Sequence, residues 1–355
     1  MADNQKISYK RQGNVGLFDA EDNINKLNKM KNPLEKLLQV VDFELFRDIL
    51  EDGLHGDRLT RAGARPYDYV LMFKILVLQR MYHLSDEQTE YQIIDRTSFR
   101  QFLGLASGDD VPDARTIWAF REKLTKLNMF EKLFDKFYQF LEEKSLIMNE
   151  GVIIDGSFVE VPRQRNNRDE NQKIKEGKGE ELWRDKESKN KRRHKDTDAR
   201  WTKKNGQNYY GYKNHVKIDS RSKFIKKGVT TDASVHDSQP TADLIDKSDE
   251  GQPLNADSAY IGKGVKKLIR KYHMKDRVIK RGTRGKKISK RQESINKKNS
   301  KTRVRVEHVF GYCEQNLCGM FSRVVGIVRN AAYNTLTNLV YNMNRYEQIM
   351  RLKMN

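Results

Sequence analysis

Apolar residues near the start of the chain recur at the three- and four-residue intervals of an amphipathic helix. Residues 1–30 are polar and weakly patterned, and we expect a flexible leader there. From residue 34 to residue 50, leucine, valine, isoleucine and phenylalanine repeat at helical spacing. Residues 69–78 are apolar on almost every side, so they predict a helix in the core rather than at the surface.

Helix start and stop signals continue through this first part of the chain. Ser85 followed by Gln88 forms a capping-box pattern, which predicts the start of another helix. Gly104 ends the next apolar segment as a helix stop. A long amphipathic pattern then runs from residue 117 to about residue 146. Residues 31–150 are therefore predicted to form an all-helical N-terminal domain.

After residue 150 the pattern changes to short apolar runs that are typical of strands. Residues 151–157 contain a short apolar run followed by Asp155 and a glycine, which predicts a buried strand with Asp155 at its end. Residues 209–219 alternate as a strand, and residues 224–233 form its antiparallel partner. These three strands are predicted to make a meander.

Further alternation of helix and strand patterns follows this meander. The segments are a helix over residues 241–247, a fourth strand leading to Asp257, a helix over residues 263–272, a fifth strand over residues 276–281, and a helix that carries Glu307. This order is that of the ribonuclease H-like fold, an α/β fold with a mixed five-stranded sheet and flanking helices. We place this domain at residues 151–348, after the all-helical N-terminal domain. In this fold the first strand, the fourth strand and the last helix converge at one end of the sheet.

A highly charged insertion, residues 160–208, separates the first two strands of this domain. It has too few apolar residues to order itself by packing, so we expect it to be either disordered or ordered by a polyanion. Its candidate DNA contacts are Arg163, Arg165, Arg192, Arg193 and Lys195. Trp183 and Trp201 either stack on an exposed base or attach the insertion to the core.

Two other segments carry basic residues that are candidates for DNA contact. Residues 282–302 show no apolar pattern and predict a basic loop that contacts phosphates, or else a solvated loop. The candidates in and beside this loop are Arg284, Lys286, Lys287, Lys290, Arg291 and Arg303. Arg115, in the N-terminal domain, lies in a segment that fits a helix-turn-helix loosely; an architectural or dimerisation role is the alternative.

The overall charge supports a polyanionic partner. Lysine and arginine outnumber aspartate and glutamate by 69 to 49, which gives a net charge of +20. We interpret this excess as nucleic-acid binding because it is concentrated in particular segments, although a solvated basic surface is the alternative. No apolar run approaches the ~18 residues of a membrane span, and no signal peptide is evident, so we expect a cytoplasmic protein.

Three carboxylates come from separate predicted elements. Asp155, Asp257 and Glu307 together suit a site that holds two divalent metal ions and cleaves phosphodiesters; ordinary surface or capping carboxylates are the alternative. Mg²⁺ or Mn²⁺ is favoured over zinc because all three ligands are hard oxygens. His236 and Asp237 are expected near this pocket, or as a structural cap at a strand end.

The chain resembles bacterial insertion-sequence transposases of the DDE type, in the insertion-sequence-five group. The resemblance covers roughly residues 33–345. The matching strings are Pro66-Tyr67-Asp68, Leu84-Ser85-Asp86, Asp95-Arg96-Thr97-Ser98-Phe99-Arg100-Gln101-Phe102-Leu103-Gly104-Leu105, Val111-Pro112-Asp113-Ala114-Arg115-Thr116-Ile117, Ile154-Asp155-Gly156-Ser157, Val235-His236-Asp237, Ala256-Asp257-Ser258-Ala259-Tyr260 and Arg303-Val304-Arg305-Val306-Glu307-His308-Val309-Phe310-Gly311. The sequence departs from the group's signature at Ser300, where the group has a tyrosine, and at Glu314, where it has a basic residue.

This resemblance implies binding to the terminal inverted repeats of an insertion sequence, cleavage of the DNA there and joining of the 3′ ends to target DNA. It implies double-stranded DNA as the partner, a homodimer on DNA and a nucleoid-associated protein in a bacterial cytoplasm. Two alternatives are a ribonuclease H-like nuclease or resolvase without transposition, and a domesticated DNA-binding protein. The presence of all three carboxylates argues against the second of these.

Overall fold

The helical pattern of the first 150 residues is confirmed. The structure is a computed structural model, and it describes residues 16, 18–30, 32–55, 65–185, 188–204, 206–282, 285 and 287–354. The helices of the N-terminal part are α1 (Asp19–Lys29), α2 (Pro33–Val40), a 3-10 turn (Phe43–Phe46), α3 (Arg47–Leu54), α4 (Tyr69–Tyr82), α5 (Asp86–Asp95), α6 (Thr97–Leu103), α7 (Ala114–Lys126) and α8 (Met129–Glu143).

Several local signals act as the sequence predicts. Helix α4 is buried on nearly all sides, as its apolar composition requires. Ser85 and Gln88 form the complete capping box of α5. Helix α6 ends at Gly104, whose φ of 78° is accessible to glycine at little cost.

Two expectations for this part were wrong. The single long helix over residues 117–146 is two helices, because Asn128 adopts a left-handed conformation with φ of 49° between α7 and α8. Part of the expected leader forms α1. This helix has acidic residues in its first turn and lysines in its last turn, and these charges interact favourably with the helix dipole. Residues 1–15 lie outside the described residues.

The predicted ribonuclease H-like sheet is present, with one strand more than expected, but its last strand covers only residues 275–276 instead of 276–281. Its strands are β1 (Val152–Glu160), β2 (Arg200–Lys204), β3 (Gln207–Asp219), β4 (Ile225–Asp232), β5 (Pro253–Asn255) and β6 (Lys275–Asp276). Strands β1, β3 and β4 form the expected antiparallel meander, while β5 and β6 continue the sheet in parallel on the other side of β1. The additional strand, β2, belongs to the insertion and pairs with residues 207–211 of β3.

Further helices follow β1, and several of them pack on the sheet. They are α9 (Arg168–Lys175), α10 (Lys189–His194), α11 (Thr241–Leu244), α12 (Lys263–Lys271), α13 (Lys290–Arg303), α14 (Arg305–Leu317) and α15 (Ile327–Met354). Within the described ranges, none of the helices is long and apolar enough to cross a lipid bilayer.

One hydrophobic core crosses the predicted boundary at residue 150. It joins buried residues of the N-terminal helices to one face of the sheet, including Phe73, Phe137, Ile153 and Val216. Helix α15 packs against β4, α8, α2 and α4, and so ties the two parts together. The N-terminal helices therefore hold the sheet that carries the candidate site, whatever else they bind.

The insertion packs through buried side chains of its own, whereas disorder or ordering by a polyanion was expected. Ile174, Leu182 and Trp183 form a small buried cluster of their own. Asp196, only 2% exposed, accepts hydrogen bonds from the Tyr212 hydroxyl at 2.7 and 2.8 Å and so anchors the insertion to β3. The insertion is ordered by a few buried anchors rather than by a continuous apolar face.

The predicted basic loop over residues 282–302 is mostly helical, because α13 begins at Lys290. Ser289 caps this helix by accepting a hydrogen bond from the Gln292 backbone N–H. Asn296 holds the helix to the preceding chain by exchanging hydrogen bonds with both backbone groups of Lys280. These contacts are polar, and an apolar pattern could not reveal them.

Candidate active site

Asp155 on β1 and Asp257 just after β5 lie at matching positions of two adjacent parallel strands. Ile153 of β1 pairs with Asn255 of β5, and each aspartate lies two residues further along its chain. Neighbouring strands lie about 4.8 Å apart, so this register brings the two carboxylates to one edge. Asp155 is in the middle of β1 rather than at its end, contrary to the prediction. It lies near the rim because the short neighbour β5 stops at Asn255.

Glu307 reaches the same edge from helix α14, which packs on β1. It is joined to Asp155 through Arg303, the last residue of α13. The Arg303 Nη1 donates to Asp155 Oδ2 at 2.8 Å, and Nη2 donates to Glu307 Oε1. All three predicted carboxylates therefore lie around one edge of the sheet, with a guanidinium between two of them.

Burial makes Asp155 difficult to ionise. The Asp155 residue is 9% exposed, and burial raises its pKa to about 6, although the Gly156 backbone N–H and Arg303 act in the opposite direction. The negative charge of Asp257 also raises the pKa of Asp155. A carboxylate in this environment needs a cation beside it in order to remain charged.

The Tyr260 hydroxyl lies among these acidic groups. Tyr260 is 1% exposed, and its hydroxyl has no hydrogen-bond partner among the described residues. Burial, followed by the charges of Asp155, Asp237 and Asp257, raises its pKa well above the ordinary value. Tyr260 stands three residues after Asp257, and no pattern in the sequence indicated a role for it.

The donor set suits a hard divalent cation, but it is not assembled around one position. Asp155, Asp257 and Glu307 offer only carboxylate oxygens, which Mg²⁺ and Mn²⁺ prefer. Among the described residues, however, no three Asp, Glu, His or Cys side chains are grouped closely enough to ligate one ion. The cation that contacts Asp155 and Glu307 is the guanidinium of Arg303.

Comparison with known families gives this geometry its context. Residues 148–343, more than half of the chain, match the family described as "Transposase DDE domain". The chain belongs to the DDE transposases. Residues 22–123 match a second family, described as "Transposase domain (DUF772)". As a DDE transposase, the protein is a DNA-binding enzyme of a family that uses divalent metal ions.

A solved structure also resembles the transposase. It is the cryo-EM structure of the piggyBac transposase synaptic complex with hairpin DNA, to which the chain is 13% identical, with a TM-score of 0.44. The match covers 93% of this chain and 78% of that one.

The two residues expected near the pocket differ in position. Asp237 is 8% exposed and forms an ion pair with Lys213 at 2.8 Å. The negative charge of Asp237 also raises the pKa of Tyr260. His236 is exposed, and its Nδ1 lies 2.9 Å from Ser238 Oγ, which is the geometry of a structural cap at a turn.

Several basic residues of the insertion surround one cleft of about 500 Å³. Its charged and titratable lining residues are Arg163, Arg165, Lys191, His194, Lys195, Asp196 and Arg323. Arg192 and Arg193 are exposed on α10 but are not part of this lining. The cleft begins at Val161, directly after β1, so it continues from the strand that carries Asp155.

The two tryptophans of the insertion have different environments. Trp183 is 8% exposed, and its indole N–H donates to Glu170 Oε1 at 2.8 Å. This burial favours the alternative of a core anchor over base stacking. Trp201 is 49% exposed on β2, and the Arg163 guanidinium lies 5.5 Å from its ring centroid.

The other predicted DNA contacts are spread over the surface. Arg115 is exposed in the first turn of α7, and Lys287, Lys290 and Arg291 are exposed at or just before the start of α13. Arg284 and Lys286 lie outside the described residues. Arg303 was predicted to contact DNA, but here it contacts two carboxylates.

Proposed function

We propose that this transposase binds the terminal inverted repeats of an insertion sequence of the insertion-sequence-five group, cleaves the DNA there and joins the 3′ ends to target DNA. The observation that carries the proposal is the common edge shared by Asp155, Asp257 and Glu307 in a DDE transposase domain. Asp155 lies within β1, Asp257 lies just after its parallel neighbour β5, and Glu307 is on helix α14, which packs against β1.

We assign Asp155, Asp257 and Glu307 as the ligands of two divalent cations, Mg²⁺ or Mn²⁺. When bound, these ions would activate a water or a 3′ hydroxyl and stabilise the leaving oxygen of the phosphodiester. The role of the protein chain is to hold the three carboxylates that bind these ions. The paired strands β1 and β5 set the backbone positions from which Asp155 and Asp257 project before DNA binds.

The catalytic assignment is tested by replacing each carboxylate by its amide. Asp155→Asn, Asp257→Asn and Glu307→Gln preserve side-chain volume, so the protein should fold and bind DNA ends. Each should reduce cleavage by at least about 10²–10³-fold, the effect of losing one electrostatic group at a reacting centre. Glu314→Gln, an exposed position on the same helix, is the matched control and should cleave normally. Wild-type cleavage by the Asp257→Asn variant would refute the assignment.

We propose the basic cleft as the path of the DNA backbone away from the site. Asp155 and Val161 are six residues apart along an extended segment, or about 20 Å at the rise of a strand. One nucleotide advances about 3.4 Å along a duplex strand, so the cleft should contact phosphates about six nucleotides from the cleaved bond. Exposed Trp201, beside Arg163, is positioned to stack on a base along this path.

The salt dependence of DNA binding tests the cleft. Each neutralised phosphate lowers log K by about 0.9 per unit of log salt, so Arg163→Gln with Arg165→Gln should reduce that slope by about 1.8. Lys173→Gln with Lys175→Gln removes the same charge from the exposed face of α9, outside the cleft lining, and should change the slope less. Equal slopes for the two double variants would show that the cleft does not contact DNA phosphates.

A homodimer on DNA and a DNA-binding or dimerisation role of residues 31–150 stay predictions. Light scattering of the complex with one transposon end would give the number of protomers.

A further inference from the structure

Arg303 occupies the space between two carboxylates that are proposed as metal ligands. Its two terminal nitrogens bond different acids, Asp155 Oδ2 at 2.8 Å and Glu307 Oε1. The second oxygen of Asp155 is also engaged, because Oδ1 accepts a hydrogen bond from the Gly156 backbone N–H at 2.9 Å. Arg303 therefore supplies the side-chain hydrogen bond to the buried carboxylate.

This arrangement is partly shielded from water. The side chains of Asp155 and Arg303 are 13% and 20% exposed, whereas that of Glu307 is 54% exposed. Shielding strengthens the Asp155–Arg303 interaction relative to an ordinary surface ion pair. The pair joins positions 148 residues apart in sequence, so it connects the sheet to the α13–α14 junction.

Two negative groups at one edge require a positive charge, and the structure contains one. A divalent cation that bound the same oxygens would have to lie where the guanidinium now lies, because both would contact Asp155 Oδ2 and Glu307 Oε1. Both cations placed together would also repel each other. Occupancy by Arg303 and occupancy by metal are therefore alternatives.

We propose that Arg303 is an internal counter-cation that holds Asp155 and Glu307 in the metal-free transposase and must release both before they bind divalent cations. The proposal rests on the metal site proposed above and adds a competing ligand to it. Arg303 is a positioning residue on this account: it keeps the two carboxylates together, and it lowers the apparent affinity for metal.

The test is a Mn²⁺ titration of the full-length protein without DNA, followed by electron paramagnetic resonance of the free ion. Arg303→Gln should bind Mn²⁺ about tenfold more tightly than the wild type, because no guanidinium has to be displaced. Arg303→Lys keeps the charge but cannot donate to both acids in a planar fork, so its affinity should lie between the two.

A matched control separates displacement from simple loss of positive charge. The charge of Lys204 also acts on Asp155, but its ammonium pairs with Asp237 at 3.6 Å and donates to neither oxygen held by Arg303. Lys204→Gln should therefore raise Mn²⁺ affinity less than threefold. If Lys204→Gln raises the Mn²⁺ affinity as much as Arg303→Gln does, the increase comes from the general loss of positive charge, and the proposal fails.

Thermal unfolding gives a second readout that does not depend on activity. In chelator, Arg303→Gln should melt below the wild type because Asp155 is left without its counter-cation; saturating Mn²⁺ should bring the two melting temperatures together. If Arg303→Gln is unfolded in chelator, refolding on addition of Mn²⁺ supports the proposal, and failure to refold contradicts it.

The outcomes also distinguish this inference from the metal site itself. If Asp155→Ala abolishes Mn²⁺ binding while Arg303→Gln binds as weakly as the wild type or more weakly, the metal site stands and the competition is refuted. If neither the wild type nor any variant binds Mn²⁺, the proposed metal site fails and the competition fails with it.

Discussion

Replacing Trp183 by alanine should unfold the insertion locally while leaving the rest of the transposase folded. Trp183 belongs to a cluster with Ile174 and Leu182 that is separate from the main core. Its indole N–H donates to Glu170 Oε1, which also accepts from Lys191 at 2.6 Å. Losing this side chain therefore removes both the largest apolar group of the cluster and one of its buried polar contacts.

The magnitude follows from burial. An aromatic side chain buries about 150–250 Å² in a protein, and at about 25 cal/mol per Å² this corresponds to about 4–6 kcal/mol. Trp183 is 8% exposed, so nearly all of this free energy of burial applies to it. Measured Trp→Ala substitutions in protein cores cost about 3–5 kcal/mol of stability. Trp183→Phe retains most of the area and loses the hydrogen bond to a charged acceptor, for about 1.5–3 kcal/mol.

Limited trypsin digestion without DNA, followed by mass spectrometry, measures the effect. Cleavage within residues 160–208 should be much faster in Trp183→Ala than in the wild type, with Trp183→Phe between them. Trp201→Ala is the matched control, because that side chain is 49% exposed and its loss should leave the digestion rate nearly unchanged. If Trp183→Ala resists trypsin like the wild type but binds DNA weakly, Trp183 is a DNA contact and the packing argument is wrong.

Two further predictions concern buried polar groups. Asn342→Leu should destabilise the protein by about 2–4 kcal/mol in denaturant unfolding, because Asn342 bonds both the backbone N–H (2.9 Å) and the C=O (2.8 Å) of Ile225, which would remain buried without partners. Burial raises the pKa of Glu170, but the hydrogen bonds from Lys191 and Trp183 outweigh burial and lower that pKa to about 2. The ionised Glu170 therefore stabilises the folded insertion above about pH 4.5, and this stabilisation is lost as the pH falls towards 2. Pepsin cleavage of the insertion should accelerate over that range in the wild type, and Glu170→Gln should flatten the pH dependence.

The sequence predicts elements well where their stability is local. Helix α4 was recognisable because nearly every position is apolar, and the start of α5 because Ser85 and Gln88 satisfy each other's backbone. The meander of β1, β3 and β4 was recognisable from the apolar run of β1 and the alternation of β3, because each strand faces a core on at least one side.

The elements that the sequence missed depend on single polar anchors. Helix α13 is 14 residues long and has a single large apolar side chain, Ile295, which is 43% exposed. Its position depends on Asn296 and Lys280, and no periodic pattern reports such a pair. Strand β2 forms because the insertion returns to the edge of β3, which is a tertiary event.

The same distinction applies to the site. Three carboxylates could be nominated because each stands in or beside a recognisable strand or helix. The contact of Arg303 with Asp155 joins residues 148 positions apart and depends on how α13 packs against the sheet. It could therefore not be predicted from the sequence. The position of Asp155 within its strand was also predicted wrongly, because the rim depends on where the neighbouring β5 ends.

The anchoring of the insertion changes how DNA binding should be understood. Asp196 accepts hydrogen bonds from Tyr212 on β3 and from the Gly326 backbone N–H, and Asp198 accepts one from the Ile327 backbone N–H at the start of α15. The basic cleft is thereby attached to both the sheet and the longest helix before any DNA is present. A surface that is already ordered loses less conformational entropy on binding than a segment that must fold on its partner. The cleft should therefore contribute its phosphate contacts as a fixed surface at a set distance from Asp155.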